Sequence, residues 1–112
     1  PYTTLFRSQK YSGDITCDKS SKVKLVLTEG SSYSGAFDAK GAAAYSKVYL
    51  SRNSAWNVTG DSHIDSLRNG DKKCRNIKSN GHTVYYDKNR EANDWLGGKT
   101  LSLPGGGTLQ PE

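Results

Sequence analysis

The chain has 112 residues and a mass of 12.2 kDa, room for one compact unit and not for two domains of ordinary size. Leu, Ile, Val and Phe number only 19, about 17%, a lean supply that borders on disorder. The 11 aromatic residues and a net charge of only +5 favour a folded domain instead, and no apolar run approaches the ~20 residues that cross a bilayer, so no membrane is expected as a partner.

Ser, Thr, Asn and Gly together supply 41 residues, a composition that suits strands and tight turns. Met is absent and the first residue is Pro1, so the chain reads as processed, the mature or excised end of something that began with a secretory signal or further coils. The whole, 1–112, is expected to form a single unit.

In chain order, residues 1–12 are expected to serve as an N-terminal cap or edge. Ser21–Leu27 follows with period two, placing Val23, Leu25 and Leu27 on one face. Ser46–Leu50 repeats that pattern with Val48 and Leu50, and lysines between the apolar positions mark a solvated outer face. Asn80-Gly81 is a strong turn dipeptide before the strand-like His82–Tyr86. Asn89–Leu96 is the best helical candidate, or only a turn. Thr100–Leu103 is a further short strand, and residues 97–112, with Pro104-Gly105-Gly106-Gly107, are expected to form a C-terminal cap.

An internal repeat carries more information. Leu27 through Asp38 aligns with Leu50 through Asp61 at an offset of 23 residues, sharing Leu, a hydroxyl residue, Gly or Asn, Ser, a large aromatic and a final Asp. Asp14 and Asp87 extend this into a looser ladder of acids with Asp38 and Asp61. Repeats of this length point to stacked units that share one core. The expectation is an all-β chain, a β-solenoid of a few short coils.

Val48-Tyr49-Leu50-Ser51-Arg52-Asn53-Ser54-Ala55-Trp56-Asn57-Val58-Thr59-Gly60-Asp61-Ser62 resembles the V-x-L-x-x-x-S-x-W-x-V-T-G-D-S segment of secreted right-handed parallel β-helix proteins of bacteria and fungi. Asn76–Asp87 and Leu96–Leu109 resemble segments that often follow in those proteins. The resemblance covers roughly residues 12–110. It implies a right-handed parallel β-helix, here its C-terminal end, and a secreted or cell-wall-associated location. It brings no catalytic residues, and some related β-helices are thought to bind acidic plant polysaccharide. The cysteines and the basic stretch Asp71–Arg75 depart from the pattern. Within the resembling segment, Trp56 and Val58 should alternate inward, and Gly60 should allow a corner too tight for a Cβ.

Cys17 and Cys74 lie 57 positions apart, unlike the close pairs of zinc sites. In a secreted chain the plain expectation is one disulfide, worth roughly 4 kcal/mol in the loop-entropy description. The alternative is two buried free thiols.

Three groups of residues could carry chemistry. Asp61, His63 and Asp65 share one face of a strand and would suit acid/base work, and His82 is the second histidine. For Asp61, His63 and Asp65 a small metal site of two carboxylates and an imidazole is the other functional reading, and the bland one is a polar corner after Gly60; the expectation is no metal and no cofactor. Lys72, Lys73 and Arg75, beside Arg68 and Lys78, form the densest basic cluster, with Lys19, Lys22 and Lys24 a second. Such patches hold polyanions. Alternation turns Tyr49 and Tyr85 outward, and Trp95 lies in a polar loop, so these three are candidate platforms for sugar rings. Asn57-Val58-Thr59 is an N-glycosylation sequon.

The functional expectation is a secreted, non-enzymatic β-helix domain that binds extracellular or cell-wall polysaccharide, neutral or acidic, through Tyr49, Tyr85, Trp95, Lys72, Lys73 and Arg75. Nucleic acid is the less favoured partner. One alternative is a small basic secreted enzyme, a ribonuclease or a polysaccharide-cleaving protein, using His63 or His82 with a carboxylate. Another is an effector or toxin-like interaction protein. Oligomeric state is not legible.

Overall fold

The computed structural model describes the backbone of residues 2–112 and the side chains of residues 8–112. The chain winds as a parallel β-solenoid of about four turns, each turn laying a segment on each of three faces. The first turn holds β1 (Tyr2–Arg7) and β2 (Lys10–Ser12), then Ile15, which bridges to Phe37. The second holds β3 (Lys22–Thr28) and β4 (Ser32–Gly35) and ends at Phe37. The third has β5 (Tyr45–Leu50), β6 (Ala55–Val58) and β7 (Ser62–Ile64). The fourth has β8 (Ser66–Asn69), β9 (Ile77–Lys78) and β10 (Thr83–Tyr86). A 3-10 helix, Glu91–Leu96, then packs beyond β8, and β11 (Leu101–Ser102) and β12 (Thr108–Pro111) follow.

The first sheet runs β1-β3-β5-β8 and the second β2-β4-β6-β9, both parallel throughout. The third runs β7-β10-β12 in parallel, and β11 pairs antiparallel along its far edge. The helical candidate is thus a single short 3-10 segment. Gly97 ends it in the left-handed region at φ 64°.

Period two explains the core. Val23, Leu25 and Leu27 point inward from β3, and the register stacks Leu25 on Val48 and Leu67, and Leu27 on Leu50. On the second sheet Tyr33 stacks on Trp56, which stacks on Ile77. Each turn contributes only two or three apolar residues per strand, so 19 aliphatic and Phe residues suffice. Aromatics fill the rest. Tyr33 and Trp56 rings lie 6.3 Å apart, and Phe37 meets Trp56 edge-on at 6.4 Å. Their polar atoms are satisfied inside the core: Trp56 Nε1 donates to the Gly35 carbonyl at 3.0 Å and the Tyr33 hydroxyl to the Ala36 carbonyl at 3.1 Å.

The 23-residue repeat is a true coil repeat as far as Val58, since Leu27 pairs with Leu50 and Tyr33 with Trp56. It then slips. The His63 N–H donates to the Phe37 carbonyl, so Phe37 is matched by Ser62, 25 residues on. Two extra residues at the Thr59–Asp61 corner move Asp61 away from the place Asp38 occupies. The four acids therefore form no ladder. Steric demand for glycine falls on Gly35 more than on Gly60. A Cβ at Gly35 would collide with the Gly13 carbonyl and the Tyr33 hydroxyl, whereas one at Gly60 would meet only Ala36 Cβ at 3.2 Å.

The expected disulfide does not exist. Cys17 and Cys74 are both free thiols. Cys17 lies between the first turn and β3, while Cys74 lies at the corner between β8 and β9 in the fourth turn. At ~4.8 Å per coil they are at least about 10 Å apart along the stack, beyond the ~7 Å Cα separation a disulfide spans. Burial pushes both thiols up, to about 11 in each case, with Asp38 and Asp18 adding to the effect at Cys17.

Candidate functional site

Two regions gather the chemistry-bearing side chains. The first is a cleft of about 270 Å3 where the third sheet meets the loop before β5, lined by Asp38, Ser46, His63, Asp65, Asp87 and Glu112 among others. His63 projects from β7 between buried Ser62 and Ile64. Its ring stacks on Tyr85 at 4.8 Å, and Gly41 covers the ring so closely that a Cβ there would sit 3.1 Å from Cδ2. Both ring nitrogens face acceptors: Nδ1 lies 3.2 Å from the Asp38 carbonyl oxygen and Nε2 3.4 Å from Glu112 Oε1.

Most carboxylates here fix the chain. Asp38 accepts the N–H groups of Ala42 and Ala43 at 2.9 and 3.1 Å. Asp65 accepts the Ser46 N–H at 2.8 Å, and Asp87 the Asn89 N–H at 2.9 Å beside an ion pair with Arg90. Among the described contacts, only the Glu112 side chain meets the cleft without such a backbone commitment, and it faces His63 Nε2.

The predicted trio on β7 is split. His63 and Asp65 line the cleft, but Asp61 sits at the preceding corner. There its Oδ1 accepts the Thr83 N–H at 2.9 Å and faces His82 Nδ1 at 3.7 Å. Asp14 does the same job at the equivalent corner two turns earlier, accepting the Ala36 N–H at 3.0 Å. The two histidines thus belong to separate places.

The second region is the outer face of the first sheet. The register stacks Lys22 on Tyr45, Lys24 on Lys47 and Ser66, and Val26 on Tyr49 and Arg68. The Arg90 guanidinium lies 4.9 Å over the Tyr45 ring, whose hydroxyl meets Ser66 Oγ at 3.1 Å. At the end of this sheet the 3-10 helix is pinned by Asn93, which accepts the Leu67 N–H and donates to the Asp65 and Asp87 carbonyls. Trp95 donates to the Leu67 carbonyl at 3.1 Å, and Lys72 Nζ sits 4.7 Å over its ring.

The six residues proposed from sequence for ligand contact therefore separate. Tyr49 is on the first sheet, and Trp95 with Lys72 is at that sheet's end. Tyr85 belongs to the cleft with His63. Lys73 is exposed at the β8–β9 corner, and Arg75 is paired with Asp71 at 3.3 Å. Sequence reasoning missed Tyr45 and Lys47 as surface partners of Lys22 and Lys24. Alternation alone turns them outward. Adjacency came from the coil register, which steps 23 residues from Lys24 to Lys47 but only 19 from Tyr49 to Arg68.

Asn57 is half-buried on β6, its amide nitrogen 3.4 Å from Ser34 Oγ and its oxygen accepting from Asn80 at 2.8 Å. A glycan there would replace the contact to Ser34. Among the described residues no group of His, Cys, Asp and Glu is arranged to hold a metal ion, and no helix is long and apolar enough to cross a membrane. Compared with known family models, curated proteins and solved structures, the chain matches none.

Proposed function

We propose that this chain is a secreted, non-enzymatic β-solenoid module that binds extracellular or cell-wall polysaccharide. It would be kin to the secreted β-helix proteins that residues 48–62, 76–87 and 96–109 resemble. One observation carries the reading: the outer face of the first sheet presents Tyr49 beside Lys22, Lys24, Lys47 and Arg68 on one continuous surface. Aromatic rings offer apolar faces to sugar C–H groups, and flanking cations hold hydroxyl and acid groups. Trp95 and Lys72 extend this surface at its end. A pulldown on immobilised plant, fungal and bacterial polysaccharides tests it. Retention on at least one polymer, reduced by Tyr49→Ala, is the expected result. No retention on any polymer would sink it.

The cleft gives a second reading, a small hydrolase in which His63 and Glu112 exchange a proton with substrate. Assays on RNA and on polysaccharides with wild type and His63→Ala decide between the two. A hydrolytic activity lost in His63→Ala would favour the enzyme.

A further inference from the structure

We propose that Asn80 is a deamidation site, and that its conversion to an acid loosens the seam between the third turn, the fourth turn and the C-terminal loop. No ligand is involved, so the site is independent of the polysaccharide reading above.

The chain holds two Asn-Gly dipeptides, Asn69-Gly70 and Asn80-Gly81. Both are chemically primed, because a glycine, lacking Cβ, leaves its nitrogen free to reach the preceding side chain. Base removes the glycine N–H proton. The nitrogen then attacks the asparagine Cγ, the bond from Cγ to Nδ2 breaks, and ammonia leaves with a proton taken from solvent. Water opens the resulting succinimide ring. Opening at Cγ gives aspartate, and opening at the backbone carbonyl gives isoaspartate. The sum is asparagine plus water giving an acid plus ammonia, with no change of oxidation state.

The fold treats the two dipeptides differently. Asn69 is buried with its amide bonded to Asn76, and the Gly70 N–H donates to the Leu50 carbonyl at 2.9 Å within the coil stack. Nucleophile and target are both held there, away from solvent. Asn80 and Gly81 are exposed. They are the centre of a turn with φ of 51° and 81°, closed by the His82 N–H on the Ser79 carbonyl at 2.9 Å. Among the described contacts the Gly81 N–H makes only a long hydrogen bond, 3.4 Å to Ser79 Oγ, and a Cβ at Gly81 would meet nothing within 4 Å. The nitrogen, the ring and the attacking water all have room at this corner.

The restraint on Asn80 is also what its conversion would break. Its Nδ2 donates at 2.8 Å to both Asn57 Oδ1 and the Val58 carbonyl, one turn earlier. Aspartate replaces that double donor with a carboxylate, ionised at neutral pH, facing two acceptors. On the other side, Ser79 binds the C-terminal loop. Its N–H and Oγ donate to the Pro104 carbonyl, and its Oγ accepts the Gly107 N–H, each at 2.7 Å. Isoaspartate adds a methylene to the main chain beside Ser79 and spoils the turn closure through His82. Repulsion from the third turn and lost register at Ser79 together release the loop.

The test is incubation of the native protein at mildly alkaline pH, followed by peptide mapping for aspartate and isoaspartate. Asn80 should convert at least about tenfold faster than Asn69, and in urea the two should convert at similar rates. Asn57→Ala, which removes one acceptor holding Nδ2, should speed conversion at Asn80 and leave Asn69 unchanged. In Asn80→Asp the Ser79, His82 and Gly107 amide hydrogens should exchange faster than in wild type. An Asn80 as inert as Asn69 in the native protein, or two sites converting equally fast there, would overturn the assignment. An unchanged rate in Asn57→Ala would overturn the restraint assigned to that bond. Unchanged amide exchange in Asn80→Asp would overturn the loosening of the seam.

Discussion

Asn69 and Asn76 exchange a pair of amide hydrogen bonds across the β8–β9 corner, at 2.7 and 2.9 Å. Asn69 stands where the column Leu27–Leu50 would place a third leucine. It is buried at 2% exposure, and its oxygen also accepts the Asp71 N–H at 2.9 Å. The fourth turn thus ends an apolar column in a polar clamp. That clamp shapes the corner holding Lys72, Lys73 and Arg75.

The first prediction concerns this clamp. Asn69→Ala should cost about 2–3 kcal/mol, because the Asn76 amide and the Asp71 N–H lose partners inside the corner. Asn69→Leu should be destabilising too, although it completes a leucine column. Urea denaturation of both variants measures this. A leucine variant more stable than wild type would show that packing outweighs the clamp.

A second prediction follows from the close approach at Gly35. An added Cβ would lie 2.5 Å from the Tyr33 hydroxyl oxygen, and the adjoining carbonyl holds the Trp56 indole. Gly35→Ala should therefore cost about 3 kcal/mol, and Gly60→Ala about 1 kcal/mol or less. Near-equal losses in the two variants would mean that the coils relax around Gly35.

Legibility in the sequence tracked the periodicity. Val23, Leu25, Leu27, Val48, Leu50, Trp56 and Val58 were readable as inward residues, because alternation and the 23-residue offset agree. Strands such as β7, β8 and β9 were not. They span three, four and two residues, too short to show a period, and they exist through pairing with neighbouring coils. The same limit applied to the sites. Asp61, His63 and Asp65 share a strand face in a straight chain, but the corner before β7 takes Asp61 elsewhere. Conversely, Lys24 and Lys47 meet only through coil register. No local motif marks a contact 23 residues long.

The third prediction concerns the thiols. Both should titrate as free cysteines after unfolding, with identical mass under reducing and non-reducing conditions. In the native protein, a pKa of about 11 leaves the Cys17 thiol almost wholly protonated near neutral pH. Its reaction with a disulfide reagent at about pH 8 should be some hundredfold slower than that of an unhindered thiol, and should accelerate as pH rises toward 11. Cys74, fully buried, should react only on opening. A native cross-link between the two would contradict the solenoid register.

The fourth prediction is a pH dependence at Asp71. Burial alone would raise its carboxyl, but N–H donation from Lys73 and Arg75, the Arg75 side-chain hydrogen bond and its charge outweigh burial. Together they hold it below the ordinary 3.8. A depressed carboxyl stabilises the fold above its unfolded pKa, and that contribution disappears as pH falls through the folded value. Asp71→Asn should therefore lower the Tm at neutral pH, with a gap that stays constant well above the ordinary carboxyl value of 3.8 and narrows progressively as the pH is taken below it. Asp18, whose carboxyl the Ser21 and Ser20 hydroxyls also lower, is present in both proteins and cancels from the difference. A gap unchanged in strong acid would show that Asp71 acts through its shape at the corner and not through its charge.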